Sequence, residues 1–306
     1  MGKAVKGTAK FKTLKEEQEL DIRYEKYKSI IAELTVMSDI FMRNVLKKQA
    51  CTEYLLQVIM GRDDLQIKEQ ILQKDYKNLQ GRSAVLDCVV RDREQKRYNV
   101  EMQQESEGAS AKRARYHSAL MDMNILESGQ GVNELPGSYI IFITREDVLG
   151  YGLPIYHIDR RIKEVKEDFP DETHIIYVNV KMKNEKTKLG RLMHDLQCKN
   201  ADEMYSEILA ERVRELKETP EGVEDMCREM DEIYQEGIEV GEKRGEKRGE
   251  RRGEERGKKQ GEMKAKKETA VTLSEMGMTV EKIALAVKES TDLVQKWIAE
   301  GVAAVK

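Results

Sequence analysis

No stretch of this 306-residue chain approaches the roughly 18 consecutive apolar residues that a bilayer-spanning helix needs. The opening residues, MGKAVKGTAKFKTLKEEQEL, are basic and then acidic, with no apolar segment of signal-peptide length. A CxxC pair is also missing. The four cysteines, Cys51, Cys88, Cys198 and Cys227, are dispersed, which argues against a zinc ribbon and fits a reduced, cytoplasmic setting. Net charge of one sign is absent too, at −3, so any nucleic-acid surface must be local rather than a property of the whole chain. Apolar residues are scarce at 39% and charged ones abundant at 36%, against globular averages of about 45–50% and about 25%. Some part of the chain must therefore be unusually polar.

What is present falls into four regions. Residues 1–20 read as a flexible tail. Over 21–60 the spacing of Ile31, Leu34, Met37, Phe41 and Val45 predicts helix, with Ser38 or Asp39 as a cap and a further helix ending near VIMGRDD. Residues 65–79 read as helix or irregular structure leading into a strand. SAVLDCVV and YNVEMQ flank the charged RDREQKR and predict an antiparallel hairpin. An amphipathic helix over 108–128 follows, then β-rich SYIIFIT and HIIYVNVK, with PIYHIDRRI as a candidate edge strand. Helical patterns resume from Thr187 to about Tyr234. Strands bracketed by helices indicate an α/β domain, extended by helices to residue 236.

Within the hairpin, YNVEMQQ (98–104) places Glu101 and Gln103 on one face of a strand and Val100 and Met102 on the other. With the turn centred on Glu94, positions summing to 188 pair, which sets Asp87 opposite Glu101. Asp87 is embedded in apolar neighbours, and a carboxylate there is costly unless paired, hydrogen-bonded or bound to a metal. Two adjacent carboxylates suit a hard divalent cation, Mg²⁺ or Mn²⁺, rather than zinc. Such a site can activate water against a phosphodiester, with Gln103 orienting that water. Lys112, Arg113 and Arg115 put cations at its entrance, and Tyr116 shares a helix face with Arg113. A solvated face, or a structural ion pair with Arg97 or Arg113, would also explain the two acids.

LDCVV, YNVEMQQ and RARYHSAL together resemble the hairpin and following helix of the PD-(D/E)XK nucleases. More narrowly they resemble the bacterial recombination-promoting nucleases, also labelled PD-(D/E)XK family transposases, over about residues 30–230. The resemblance implies a restriction-endonuclease-like three-layer α/β core, a mixed sheet flanked by helices with a helical C-terminal extension. It further implies Mg²⁺-dependent DNA cleavage, with Asp87 and Glu101 as metal ligands, Asp39 as the N-terminal acidic position and Gln103 in place of the superfamily's lysine. Met42 and Arg43 depart from the family's Phe-Lys, and His117 stands where a second Tyr is frequent. Gln103 can position water but supplies no charge, leaving Arg113 as the cation available to compensate. Double-strand cleavage by a single-site nuclease would favour a homodimer.

Residues 237–261 repeat with period four, glycine recurring at 237, 241, 245, 249, 253, 257 and 261 among Glu, Lys and Arg. Each glycine costs a helix roughly 1 kcal/mol and each charge pair returns only about 0.2–0.5 kcal/mol, so 237–267 reads as a solvated spacer, frayed or partly helical. Its 12 Lys/Arg against 7 Asp/Glu could add an auxiliary attraction for phosphate. Beyond it, 268–306 reads as three short helices resembling a helix-turn-helix unit, equally suited to self-association and to DNA binding. Three functions follow: a metal-dependent endonuclease, a nuclease fold that binds DNA without cutting, and an assembly protein that oligomerises through its C-terminal arm.

Overall fold

Ser38, extended at φ −81° and ψ 127°, breaks the chain between two helices. In this computed structural model, which describes residues 14–76, 84–126 and 129–303, α1 runs Leu14–Glu33 and α2 runs Asp39–Leu46. Gln49–Met60 forms α3, which stops at Gly61 in the left-handed region, φ 63°, a conformation glycine adopts without penalty. The expected tail thus differs from the structure in part: residues 1–13 lie outside the described residues, whereas Leu14–Leu20 are helical.

Residues 65–79 also depart from the helical or irregular reading. Ile67–Tyr76 is a strand, β1, antiparallel to β2 (Ala84–Asp92). Its pattern misleads because β1 is an edge strand carrying Lys68, Glu69, Lys74 and Asp75 with a register shift near its start. Charges and irregularities of this kind are how edges avoid pairing with other chains.

The hairpin of β2 and β3 (Arg97–Gln103) pairs Cys88 with Val100, Val89 with Asn99, Val90 with Tyr98 and Arg91 with Arg97. Each pair sums to 188, the expected register. After α4 (Ala111–Met123), β4 (Ser138–Thr144) lies parallel to β3. Further on come β5 (Ile155–Ile158), the two-residue ribbon of β6 (Arg161–Ile162) and β7 (Glu167–Asp168), and β8 (Thr173–Asn179). β8 pairs parallel to β4, and β5 takes the far edge antiparallel to β8, so the sheet order is β1-β2-β3-β4-β8-β5. Central β4 and β8 contribute to the cores on both faces, which is why SYIIFIT and HIIYVNVK read as largely apolar runs.

One face of the sheet carries Cys88, Val100, Met102, Ile141 and Val178 against helices α1 to α3, α5 (Lys188–Asp195) and α6 (Glu207–Glu218). The other carries Val89, Ile140, Phe142 and Tyr177 against Ala114, Leu120 and Met121 of α4. The result is a mixed six-stranded sheet between helical layers, a restriction-endonuclease-like α/β fold.

The chain divides between Asp231 and Glu232 into two units. The second contains most of α7 (Pro220–Glu275), then α8 (Val280–Val287) and α9 (Thr291–Ala303). Ala270, Ile283, Val287, Val294 and Trp297 form its own core. Gly277 takes φ 82° at the break expected there. The glycine repeat, read as a spacer at most partly helical, lies inside α7 as continuous helix. Propensity counted over the repeat alone omits the anchors. Met226 and Cys227 upstream and Ala270 downstream are packed in cores, so the repeat only propagates helix and carries no nucleation cost. Among the described residues no helix is long and apolar enough to cross a membrane.

Candidate active site

Antiparallel pairing fixes the first element of the site. The β2–β3 ladder ends at the Cys88–Val100 pair; Asp87 and Glu101 are the next residues on each strand, and the Asp87 amide donates to Glu101 Oε1 at 3.4 Å. Glu101 is fully buried, so the polar face of YNVEMQQ is an interior one, turned toward α4. Three neighbours surround its carboxylate. Asn99 Nδ2 donates to Oε1 at 3.0 Å, His117 Nδ1 lies 3.3 Å from Oε1 and Arg113 Nη2 lies 3.6 Å from Oε2. Arg113 Nε donates to His117 Nε2 at 3.3 Å. That bond makes Nε2 an acceptor, while Nδ1, facing Glu101, is buried without a hydrogen-bond partner among the described residues.

Even so, Glu101 Oε2 is buried and accepts no hydrogen bond among the described residues. Such an atom is an exception among buried polar groups, which are nearly always satisfied. Asp87, half-buried, accepts from Gln73 Nε2 at 3.4 Å. Burial, then the charges of Glu101 and Asp39, push its carboxyl up to about 7, against weaker lowering by the Met102 amide and Arg113. Crowded negative charge and an unfilled buried oxygen are what an oxygen-ligated divalent cation would relieve, so these residues fit such an ion.

The remaining predicted residues gather less tightly. Asp39 opens α2, is largely exposed and pairs with Arg43 at 3.0 Å. It acts on Asp87 through charge rather than contact. Gln103 is half-buried on the same strand face as Glu101, with no hydrogen bond joining it to the acids among the described residues. Lys112, Arg113, Arg115, Tyr116 and His117 line one open cleft of ≈ 720 Å³ as bounded by the described residues.

Three contributors escape sequence reading. Asn99 is the alternate residue before Glu101, and strand periodicity could have added it to the polar face. His117 falls four residues after Arg113, the spacing that aligns helical neighbours. Gly108 gives no local signal, yet a Cβ there would stand 2.0 Å from Gln103 Oε1.

A second group with ligand potential, His194, Asp195 and Cys198, has its donor atoms within 4.8 Å of one another. Its bonding has a local purpose. Both Asp195 oxygens receive backbone amides, from Tyr205 and Ser206, at 2.8 Å, which fixes the turn into α6. Burial pushes the Cys198 thiol up to about 11, disfavouring the thiolate that binds metal.

A mixed sheet with paired acids on adjacent strands and a cationic helix over them defines a nuclease-like fold. The family model described as PD-(D/E)XK nuclease family transposase matches residues 39–235, and the chain belongs to this family. Membership implies a nuclease-type hydrolase with DNA as substrate, and nucleases of this superfamily generally use divalent metal ions. Comparison with curated proteins and with solved structures returned no match.

Proposed function

We propose that the chain is a metal-dependent DNA endonuclease that hydrolyses phosphodiester bonds and promotes recombination by making breaks. The observation carrying this reading is the juxtaposition of Asp87 with Glu101, whose Oε2 is buried without a hydrogen bond among the described residues. Asp87 and Glu101 would hold the ion, Mg²⁺ or Mn²⁺. When bound, such an ion supplies positive charge to the phosphodiester and lowers the pKa of attacking water. Asn99 orients the Glu101 carboxylate by hydrogen bonding, and His117 Nδ1 lies 3.3 Å from the same oxygen. Gln103, whose amide lies where a side chain at Gly108 would stand, orients water by hydrogen bonding. Asp39 adds negative charge at the rim. Lys112, Arg113 and Arg115 take the DNA backbone, and Tyr116 offers a ring to the nucleotide.

Nicking of supercoiled plasmid tests this, with Mg²⁺, with EDTA and with Asp87→Ala. Metal-dependent product that vanishes in the variant is the expected result. Equal cleavage in all three would indicate a contaminant.

A binding-only reading draws on Arg113, which already lies beside Glu101 Oε2, and on Gln103, which stands where the family resemblance puts a lysine. It predicts salt-sensitive binding without metal-dependent product.

A further inference from the structure

A second polar cleft, of ≈ 290 Å³, opens beside the carboxylates on the side away from α4. Its walls include Ser38, Gln104, Arg145, Gln197 and Lys199. Chain continuity ties it to the site. Ser38 precedes Asp39, Gln104 follows Gln103, and the Arg145 amide donates to Gln103 O at 3.1 Å. Ser38 follows Val36 and Met37 of the core on the α2 face, whereas α4 packs on the opposite face. The two clefts therefore flank the end of β3 on the two sides of the sheet.

The groups lining this cleft are set for recognition rather than for packing. Gln104 Nε2 is committed to Met37 O at 3.0 Å, and Gln197 Nε2 to Val180 O at 2.7 Å. Both amides are thereby oriented, with their carbonyl oxygens left as acceptors. Ser38 Oγ accepts from the Thr35 amide at 3.3 Å, leaving its hydroxyl hydrogen to donate. Lys199 is paired with Glu33. Arg145 is exposed and makes no ion pair or side-chain hydrogen bond among the described residues. An unpaired guanidinium with a hydroxyl donor and fixed amide acceptors suits a phosphate and the adjoining sugar or base.

We infer that the nucleic-acid strand continues past the carboxylates into this cleft, where Arg145 contacts a phosphate neighbouring the one hydrolysed. The inference rests on the nuclease reading above. Arg145 is thus a binding residue for the strand, and the cations of α4 are only half of the backbone track.

The test uses the full-length chain and short fluorescent DNA duplexes. Binding is read by anisotropy in EDTA and cleavage in Mg²⁺, for wild type, Arg145→Ala, Arg145→Glu and Arg145→Lys. Arg145→Glu is expected to weaken binding about tenfold at low salt and Arg145→Ala to lower the salt slope by about 1, with Arg145→Lys close to wild type. A scan placing one neutral methylphosphonate at each phosphate adds position. One substitution beside the cleavage point should weaken wild type and leave Arg145→Ala no weaker. Wild-type cleavage with unchanged binding by Arg145→Glu would overturn the inference and leave the nuclease reading standing. A folded wild type that neither binds nor cuts DNA would remove both.

Discussion

Asp87 stands among apolar neighbours and two like charges, so its ionisation works against the fold. Its folded-state value near 7 lies above the ordinary carboxyl value of about 3.9. The folded protein therefore holds this proton more tightly, and the group's contribution to stability falls as pH rises from about 4 through about 7, then levels off. In EDTA, Asp87→Asn should gain on wild type across that window, by on the order of 2 kcal/mol after allowance for solvent screening, read from melting curves. Adding Mg²⁺ should raise the wild-type melting temperature more than the variant's; an equal rise would argue against an ion at Asp87. Gly108→Ala gives a second residue-scale outcome. The new methyl group would meet the far end of the Gln103 side chain, so the fold should tolerate it while Gln103 moves. Cleavage is expected to drop about tenfold with little change in melting temperature.

Among the elements, the hairpin was the most legible. The charged RDREQKR between two strand-like runs marks a turn, and centring it on Glu94 gives the observed pairs Cys88–Val100, Val89–Asn99, Val90–Tyr98 and Arg91–Arg97. β1 was not legible, because Lys68, Glu69 and Lys74 protect an edge and so erase the apolar signal. Asp87 and Glu101 could be read from the strands. Gly108 could not, because its role depends on where Gln103 turns in space. The glycine repeat hides its helix from a propensity count because that helix is supported from outside itself. At Gly245, Gly249 and Gly253 a Cβ would meet nothing within 4 Å, so changing all three to alanine should add roughly 1 kcal/mol of helix stability per site. Far-UV circular dichroism during thermal melting checks this, and an unchanged melt would mean that the repeat is not helical in solution.

For the whole molecule, two separate cores mean that unfolding need not be one transition. The single tryptophan of the chain, Trp297, lies in the C-terminal core. Its fluorescence should therefore follow residues 232–306 alone, while circular dichroism follows both units. Leu55→Ala, in the core against the sheet, should cost about 2–5 kcal/mol and shift the dichroism transition without moving the fluorescence one. Coincident shifts would show the units melting together.

The four cysteines supply the complementary reporter. All are free and buried in the first unit, with burial pushing the thiols of Cys51 and Cys88 up to about 11 and about 12. Native protein should be nearly inert toward thiol reagents, and each labelling event should record an opening of the nuclease unit. The chain thus carries one built-in clock for each unit: buried sulfurs that only an opening exposes for the first, and an indole for the second.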